Sequence, residues 1–168
     1  MITGLGCRDW EDVIVADFDG LLPRQRTPLD YLNLVDDPRL DRHGLTLLAA
    51  SPYSFVRDAV AHSPRADAAT LAAIPLADLN RWTRNRVLAA IARHPNANRG
   101  TLLHVLRETS AALERPGERP YAAALALATR PELAEAEVSP LMTRPNASRR
   151  MAGGLRRALA TRTAAVHR

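Results

Sequence analysis

Apolar side chains in this chain recur at fixed distances from proline. With Pro38, Pro64, Pro95, Pro131 and Pro145 as position zero, Leu40, Ala66, Ala97, Leu133 and Ala147 stand two residues on. Leu45, Leu71, Leu102, Val138 and Ala152 stand seven on, and Leu48, Ile74, Val105, Leu141 and Leu155 stand ten on. Positions seven and ten are three apart, so they share a helix face. Pro52 falls outside this register, twelve residues before Pro64, and opens a partner segment with Phe55, Val56 and Val60 apolar. The pattern predicts Leu48, Leu71, Ile74, Leu102, Val105, Leu141 and Leu155 buried in one continuous core.

Proline lacks an N–H and disfavours helix in the residue before it, so each of these prolines ends one helix and begins a turn. Small or polar residues follow, then the next apolar face. A unit this small cannot bury its own face and must stack on its neighbours. The expected fold is all-α: a short right-handed α-solenoid of stacked helical repeats over residues 37–168. Residues 1–36 are acidic and carry no repeat match, which makes them the candidate N-terminal cap with a polar outer face. The stretch Glu114-Arg115-Pro116-Gly117-Glu118-Arg119-Pro120 reads as a surface loop. The pair Gly153-Gly154 reads as a kink or break in the last helix.

The segment Val56-Arg57-Asp58-Ala59-Val60-Ala61-His62-Ser63-Pro64 resembles the variant leucine-rich repeat, whose core is Val-Arg-x-x-Val-Ala-x-Asn-Pro followed by a Leu-x-x-Leu helix. Val56, Arg57, Val60, Ala61 and Pro64 match, with Ser63 in place of Asn. In the second copy Val87, Ile91, Ala92 and Pro95 match, with Leu88 in place of Arg and His94 in place of Asn. A third, eroded copy runs through Met142-Thr143-Arg144-Pro145. The resemblance covers residues 37–160. It implies stacked α and short 3-10 segments in a curved superhelix, similar to HEAT repeats. It implies structural roles for the matched positions and no catalytic residue.

Composition narrows the chemistry. The 168 residues suit one domain, and with 46% hydrophobic but only 4% aromatic residues the core must be built from Ala, Leu, Val and Ile. Cys7 is the only cysteine, which excludes an internal disulfide framework and a metal site made mainly of thiolates. No apolar run has the length of a membrane span, and the N-terminal stretch is acidic rather than a basic leader, so a cytoplasmic protein is expected. All 23 basic residues are Arg. Schiff-base, Lys general-base and phosphate-loop Lys chemistry are therefore excluded, while planar bidentate contacts to carboxylate or phosphate are abundant. Residues 1–50 hold 5 Arg and 9 acids, and residues 51–168 hold 18 Arg and 9 acids. After Glu137 there is no acid, but Arg144, Arg149, Arg150, Arg156, Arg157, Arg162 and Arg168 follow. The asymmetry points to an acidic partner for the C-terminal part.

Four clusters are candidates for chemistry. Val13-Ile14-Val15-Ala16-Asp17-Phe18-Asp19-Gly20 resembles the nucleophile strand of haloacid-dehalogenase-like phosphatases. That resemblance would make Asp17 the nucleophile and Asp19 the acid/base beside Mg²⁺. Leu21 stands where that family prefers Thr or Val, and the sequence lacks the alternating strands and helices of that fold. A helix explains the same residues, with Asp9 as N-cap and Trp10, Ile14, Phe18 and Leu21 on one stripe. His62 and His94 sit beside repeat prolines, where bonding to turn carbonyls is expected rather than metal binding. Asp78 and Trp82, flanked by Arg81, Arg84 and Arg86, resemble in residue type alone the basic concave face of HEAT-like DNA glycosylases. A Trp82 buried between two repeat units is the expectation. Cys7 has no companion His and reads as a spectator thiol.

If Pro145 starts a helix with Ala152, Leu155 and Leu159 on its apolar face, Arg150 and Arg157 fall nearly opposite that face and Arg149 and Arg156 on its flank. These four arginines are the candidate partner-binding stripe. The expected function is a non-catalytic helical-repeat binding module, with no cofactor and no metal, that docks an acidic macromolecular partner through its Arg-rich C-terminal half. A protein with an acidic surface is the first partner. A DNA-binding accessory protein contacting duplex phosphates is the alternative, and a phosphatase the remote one. Scarce aromatics speak against single-strand binding.

Overall fold

The computed structural model describes Phe18 and residues 20–166. Within them lie nine α-helices, one 3-10 helix and no strand. The chain divides into two compact units, residues 1–79 and 80–168. The first holds α1 (Pro28–Leu34), α2 (Arg42–Ala49), α3 (Ser54–His62) and α4 (Ala68–Ala72). The second holds α5 (Arg81–Arg93), α6 (Arg99–Glu114), α7 (Tyr121–Thr129), α8 (Glu135–Val138), a 3-10 turn (Ser139–Thr143) and α9 (Arg149–Val166). The boundary expected after residue 36 falls between α1 and α2. No described helix is long and apolar enough to cross a membrane.

The proline register is a repeated hydrogen-bond pattern. The residue before each of the first four prolines closes the preceding helix: Asp37, Ser63, His94 and Arg130 donate N–H to the carbonyls of Leu34, Val60, Ile91 and Leu127 at 3.1 Å. Proline then needs no acceptor, having no N–H. Two residues on, Leu40, Ala66, Ala97, Leu133 and Ala147 donate back to the carbonyls of Asp37, Ser63, His94, Arg130 and Arg144 at 2.9–3.3 Å. Three residues on stands the next N-cap. Asp41, Asp67 and Asn98 accept from the N–H of Gly44, Thr70 and Thr101 at 2.7, 2.8 and 2.9 Å, and Ser148 accepts from Met151 at 3.1 Å. Such caps satisfy donors that a helix start leaves orphaned. Ala134, at the same position, has no acceptor of its own. There Glu137 reaches back instead and accepts from the Ala134 N–H at 2.6 Å.

Side chains before the prolines brace the turn from inside. Asp37 accepts from the N–H of Arg39 at 2.9 Å, Ser51 from Tyr53 at 3.2 Å, and the His94 Nδ1 from Asn96 at 3.1 Å. Each reaches two residues on across the proline, which is how short polar side chains favour turns. His94 thus occupies a turn, as expected, its Nδ1 accepting the N–H of Asn96. His62 does bond a carbonyl, that of Asp58, at 2.8 Å.

Arginines from farther along the chain close three of these turns from outside. Arg65 donates to the carbonyls of Asp37, at 2.7 Å, and Leu40. Arg130 donates to the equivalent pair, His94 at 3.0 Å and Ala97 at 2.9 Å. Arg162 in turn donates to the carbonyl of Arg130 at 2.6 Å.

The expected apolar positions are buried. Leu48, Leu71 and Ile74 in the first unit, and Leu102, Val105, Leu141 and Leu155 in the second, are at most 3% exposed. Corresponding helices of neighbouring repeats pack on each other: α1 on α3 and α2 on α4 in the first unit, α5 on α7 in the second. In the first unit Tyr31, Tyr53 and Phe55 stack in a row with ring centroids 5.8 Å apart. Phe18 is buried there too, pressed on α2 where a Cβ at Gly44 would lie 2.6 Å from its ring. Leu21, the last residue of the expected helical stripe, is half-buried in a turn rather than a helix, its N–H donating to the Phe18 carbonyl at 2.9 Å, while Trp10 and Ile14 lie outside the described residues.

Candidate functional site

The C-terminal helix carries the candidate stripe. Ser148 starts α9, and Met151, Leu155 and Leu159 form its buried face. The face is turned slightly from the expected one: Met151 takes the place assigned to Ala152, which is half-buried. At 100° per residue Met151 and Leu159 lie about 40° on either side of Leu155, so Leu155 centres the face, whereas Ala152 lies about 60° to one side.

The expected break at Gly153-Gly154 is absent, and α9 runs unbroken from Arg149 to Val166. Gly154 serves the packing of α9 on α7 instead. A Cβ there would lie 2.7 Å from the Leu125 Cδ2. The close approach of two helices, rather than a turn, explains the small residue.

Arg149, Arg150, Arg156 and Arg157 are all exposed. Taking Leu155 as the core direction, Arg150 and Arg157 lie roughly 140–160° away and Arg149 and Arg156 roughly 100–120° away. The two pairs are about 10 Å apart along the axis. Arg156 also borders an open groove of about 610 Å³ lined by Glu135, Met142, Leu159, Ala160, Thr163 and Ala164.

These four do none of the structural work that several other arginines of the unit do. Four arginines are engaged in ion pairs: Arg84 with Glu118 at 2.7 Å, Arg99 with Glu137 at 2.7 Å, Arg130 with Glu132 at 2.8 Å and Arg144 with Glu114 at 2.8 Å. Arg162 lies on the core side of α9 and holds the turn carbonyl of Arg130. The four stripe arginines form no ion pair with a described residue. The unit from residue 80 onward holds 16 Arg against 6 acids, and residues 1–79 hold 7 Arg against 12 acids. The charge asymmetry therefore follows the division of the chain into units.

Trp82 corrects an expectation. It is 72% exposed, not buried between repeats. It sits nine residues before Ile91, which turns it roughly 180° from that core residue. The Asn80 side chain caps this helix start by accepting from the N–H of Trp82 and Thr83 at 3.0 Å. The guanidinium carbon of Arg81 lies 4.9 Å from the Trp82 ring centroid, a cation–π contact.

Asp78 serves a different partner. It receives two bonds, at 2.7 and 2.8 Å, from Arg57, which is 3% exposed and also donates to the Pro75 carbonyl at 2.9 Å. Those bonds hold the Asp78 carboxyl below the usual carboxylate range. Arg57 is the arginine of the repeat-like motif. In the next copy Leu88 fills the same register and is fully buried.

Asp17, Asp19 and Cys7 lie outside the described residues. Among the described residues no group of three or more His, Cys, Asp or Glu is arranged to hold a metal ion. The caps at Asp41, Asp67, Asn98 and Ser148 and the clamps by Arg65 and Arg130 escape a reading of apolar periodicity. Their signal is polar: a short acceptor recurring three residues after proline. No family model matches the chain, and no curated protein or solved structure matches it either.

Proposed function

We propose that the chain is a non-catalytic binding module of the helical-repeat type, which docks an acidic macromolecular partner through α9. In this reading the helical repeats belong to a short right-handed α-solenoid related to the variant leucine-rich repeat, and the protein works in the cytoplasm. The like-with-like packing of repeat helices and the recurring proline turn support the solenoid. The observation that carries the function is the set of four exposed arginines, Arg149, Arg150, Arg156 and Arg157, with no acid anywhere from residue 138 to the end. Guanidinium groups left out of structural ion pairs keep their bidentate capacity for an incoming carboxylate or phosphate.

A protein with an acidic surface is the first partner. Its carboxylates would face a row about 10 Å long. Duplex DNA is the second reading, favoured by the excess of arginine over acid in the whole unit. There the contacts would go to phosphates and carry little sequence information.

Affinity capture with the native chain and with an Arg149/Arg150/Arg156/Arg157→Ala variant, each with and without nuclease, tests the proposal. An acidic protein retained by the native chain alone and insensitive to nuclease supports the first reading. Recovery of DNA, with a log–log salt slope that falls by about 0.9 for each phosphate contact removed, supports the second. Equal capture by both chains removes α9 from the proposal.

A further inference from the structure

A second surface lies at the start of α5, independent of the α9 stripe. Trp82 is the only exposed large hydrophobic residue described between residues 80 and 120. Arg81 is held between two surfaces. Its guanidinium carbon is 4.9 Å from the Trp82 ring centroid, and its Nη1 would be 3.3 Å from a Cβ at Gly117. Gly117, with φ of +79°, belongs to the loop between α6 and α7. The same loop is tied to α5 by the Arg84–Glu118 pair, whose side chains are 11% and 7% exposed. The indole, the Arg81 guanidinium and the loop are therefore one constructed surface rather than three separate exposures.

The charge of that surface is one-sided. Both acids of the loop are taken up by arginines outside it, Glu114 by Arg144 and Glu118 by Arg84. Arg81, Arg115 and Arg119 remain exposed, with no ion pair to a described acid. A protein-binding hot spot would place the tryptophan inside an apolar, well-packed patch. Here the Arg81 guanidinium lies against the ring, and no other large hydrophobic residue described between residues 80 and 120 is exposed. A flat ring with one guanidinium against it, next to a loop that carries two more exposed arginines, suits a ligand that offers an aromatic face and negative charge together.

We infer that Trp82, with Arg81, Arg115 and Arg119, is a stacking platform for an unpaired base of a single-stranded nucleic acid. The base lies on the indole and the flanking phosphates meet the arginines. In a duplex each base face is already stacked, so double strands are poor ligands for this surface. The low aromatic content of the chain does not oppose this, because one exposed ring accommodates one base.

Binding of a labelled oligothymidylate, followed together with intrinsic fluorescence, tests the inference. The chain has two tryptophans, so a Trp82→Phe variant leaves Trp10 as the other emitter. Oligothymidylate should quench the native protein saturably, and a duplex of equal length should quench it far less. Trp82→Ala, an exposed position whose loss leaves the circular dichroism unchanged, should weaken binding about fivefold to a hundredfold. Trp82→Phe should keep affinity within about threefold while the quenching disappears. Arg81→Ala and Arg119→Ala should each lower the salt slope by about 0.7, the value for a single strand. Undiminished binding by Trp82→Ala, or equal quenching by polyglutamate, would overturn the inference. The α9 variant should leave this quenching intact, which separates the two surfaces.

Discussion

Leu102 shows how a single residue in the proline register is held. It sits seven residues after Pro95, one turn into α6, and is fully buried. Leu102→Ala should destabilise the protein by about 2–5 kcal/mol, from lost transfer energy and the cavity left behind, and chemical denaturation measures it. The residues around it divide into those that apolar spacing makes legible and those it does not. The leucine positions follow from a face shared at three-residue spacing. Trp82 does not, because a large aromatic in a sparse core invites burial, whereas its angle from Ile91 places it outside. The Asp37, Ser51 and His94 braces are hard to foresee for another reason. Three different side chains perform one task, and only the proline between acceptor and donor is common to them.

Among the elements, α9 departs furthest from its expected form. Two adjacent glycines lower helix propensity by roughly 1 kcal/mol each relative to alanine, which is why the sequence suggests a break there. Tertiary contact overrides that preference: Gly154 lies against Leu125, and Met151, Leu155 and Leu159 bury one face. The two glycines should therefore respond differently to substitution. A Cβ at Gly153 meets nothing nearer than the Arg157 Nη1 at 3.9 Å. Gly153→Ala should stabilise the helix by about 0.5–1 kcal/mol. Gly154→Ala gains the same backbone term but must displace the Leu125 side chain, so its net effect should be smaller or negative. Thermal unfolding of the two variants side by side gives the sign. The start of α9 is more legible than its middle, because Pro145 fixes where the helix can begin while only packing decides whether it continues.

For the molecule as a whole, ion pairing predicts how stability depends on pH. Side-chain bonds from Arg39 hold the Asp37 carboxyl at about 2, and the Thr70 N–H lowers Asp67. Bonds from Arg57 and Arg99 lower Asp78 and Glu137. A carboxyl with a depressed folded-state pKa stabilises the fold above its unfolded value and ceases to do so as pH falls through the folded value. The denaturation midpoint should therefore be flat above about pH 5 and fall progressively toward pH 2, with arginine charge unaltered throughout. A midpoint that rises on acidification would contradict these pairings. The clamp arginines add a directional consequence. The turn at Pro38 is closed by Arg65, the turn at Pro95 by Arg130, and the carbonyl of Arg130 by Arg162. In these three turns the lock comes from a later point in the chain. On a ribosome, each turn is made before the residue that secures it has been synthesised, and at about 5–20 residues per second the delay lasts seconds. For these three turns the fastening arginine stands 28–36 residues after the carbonyl it bonds, so during synthesis each turn is secured only after that stretch has emerged.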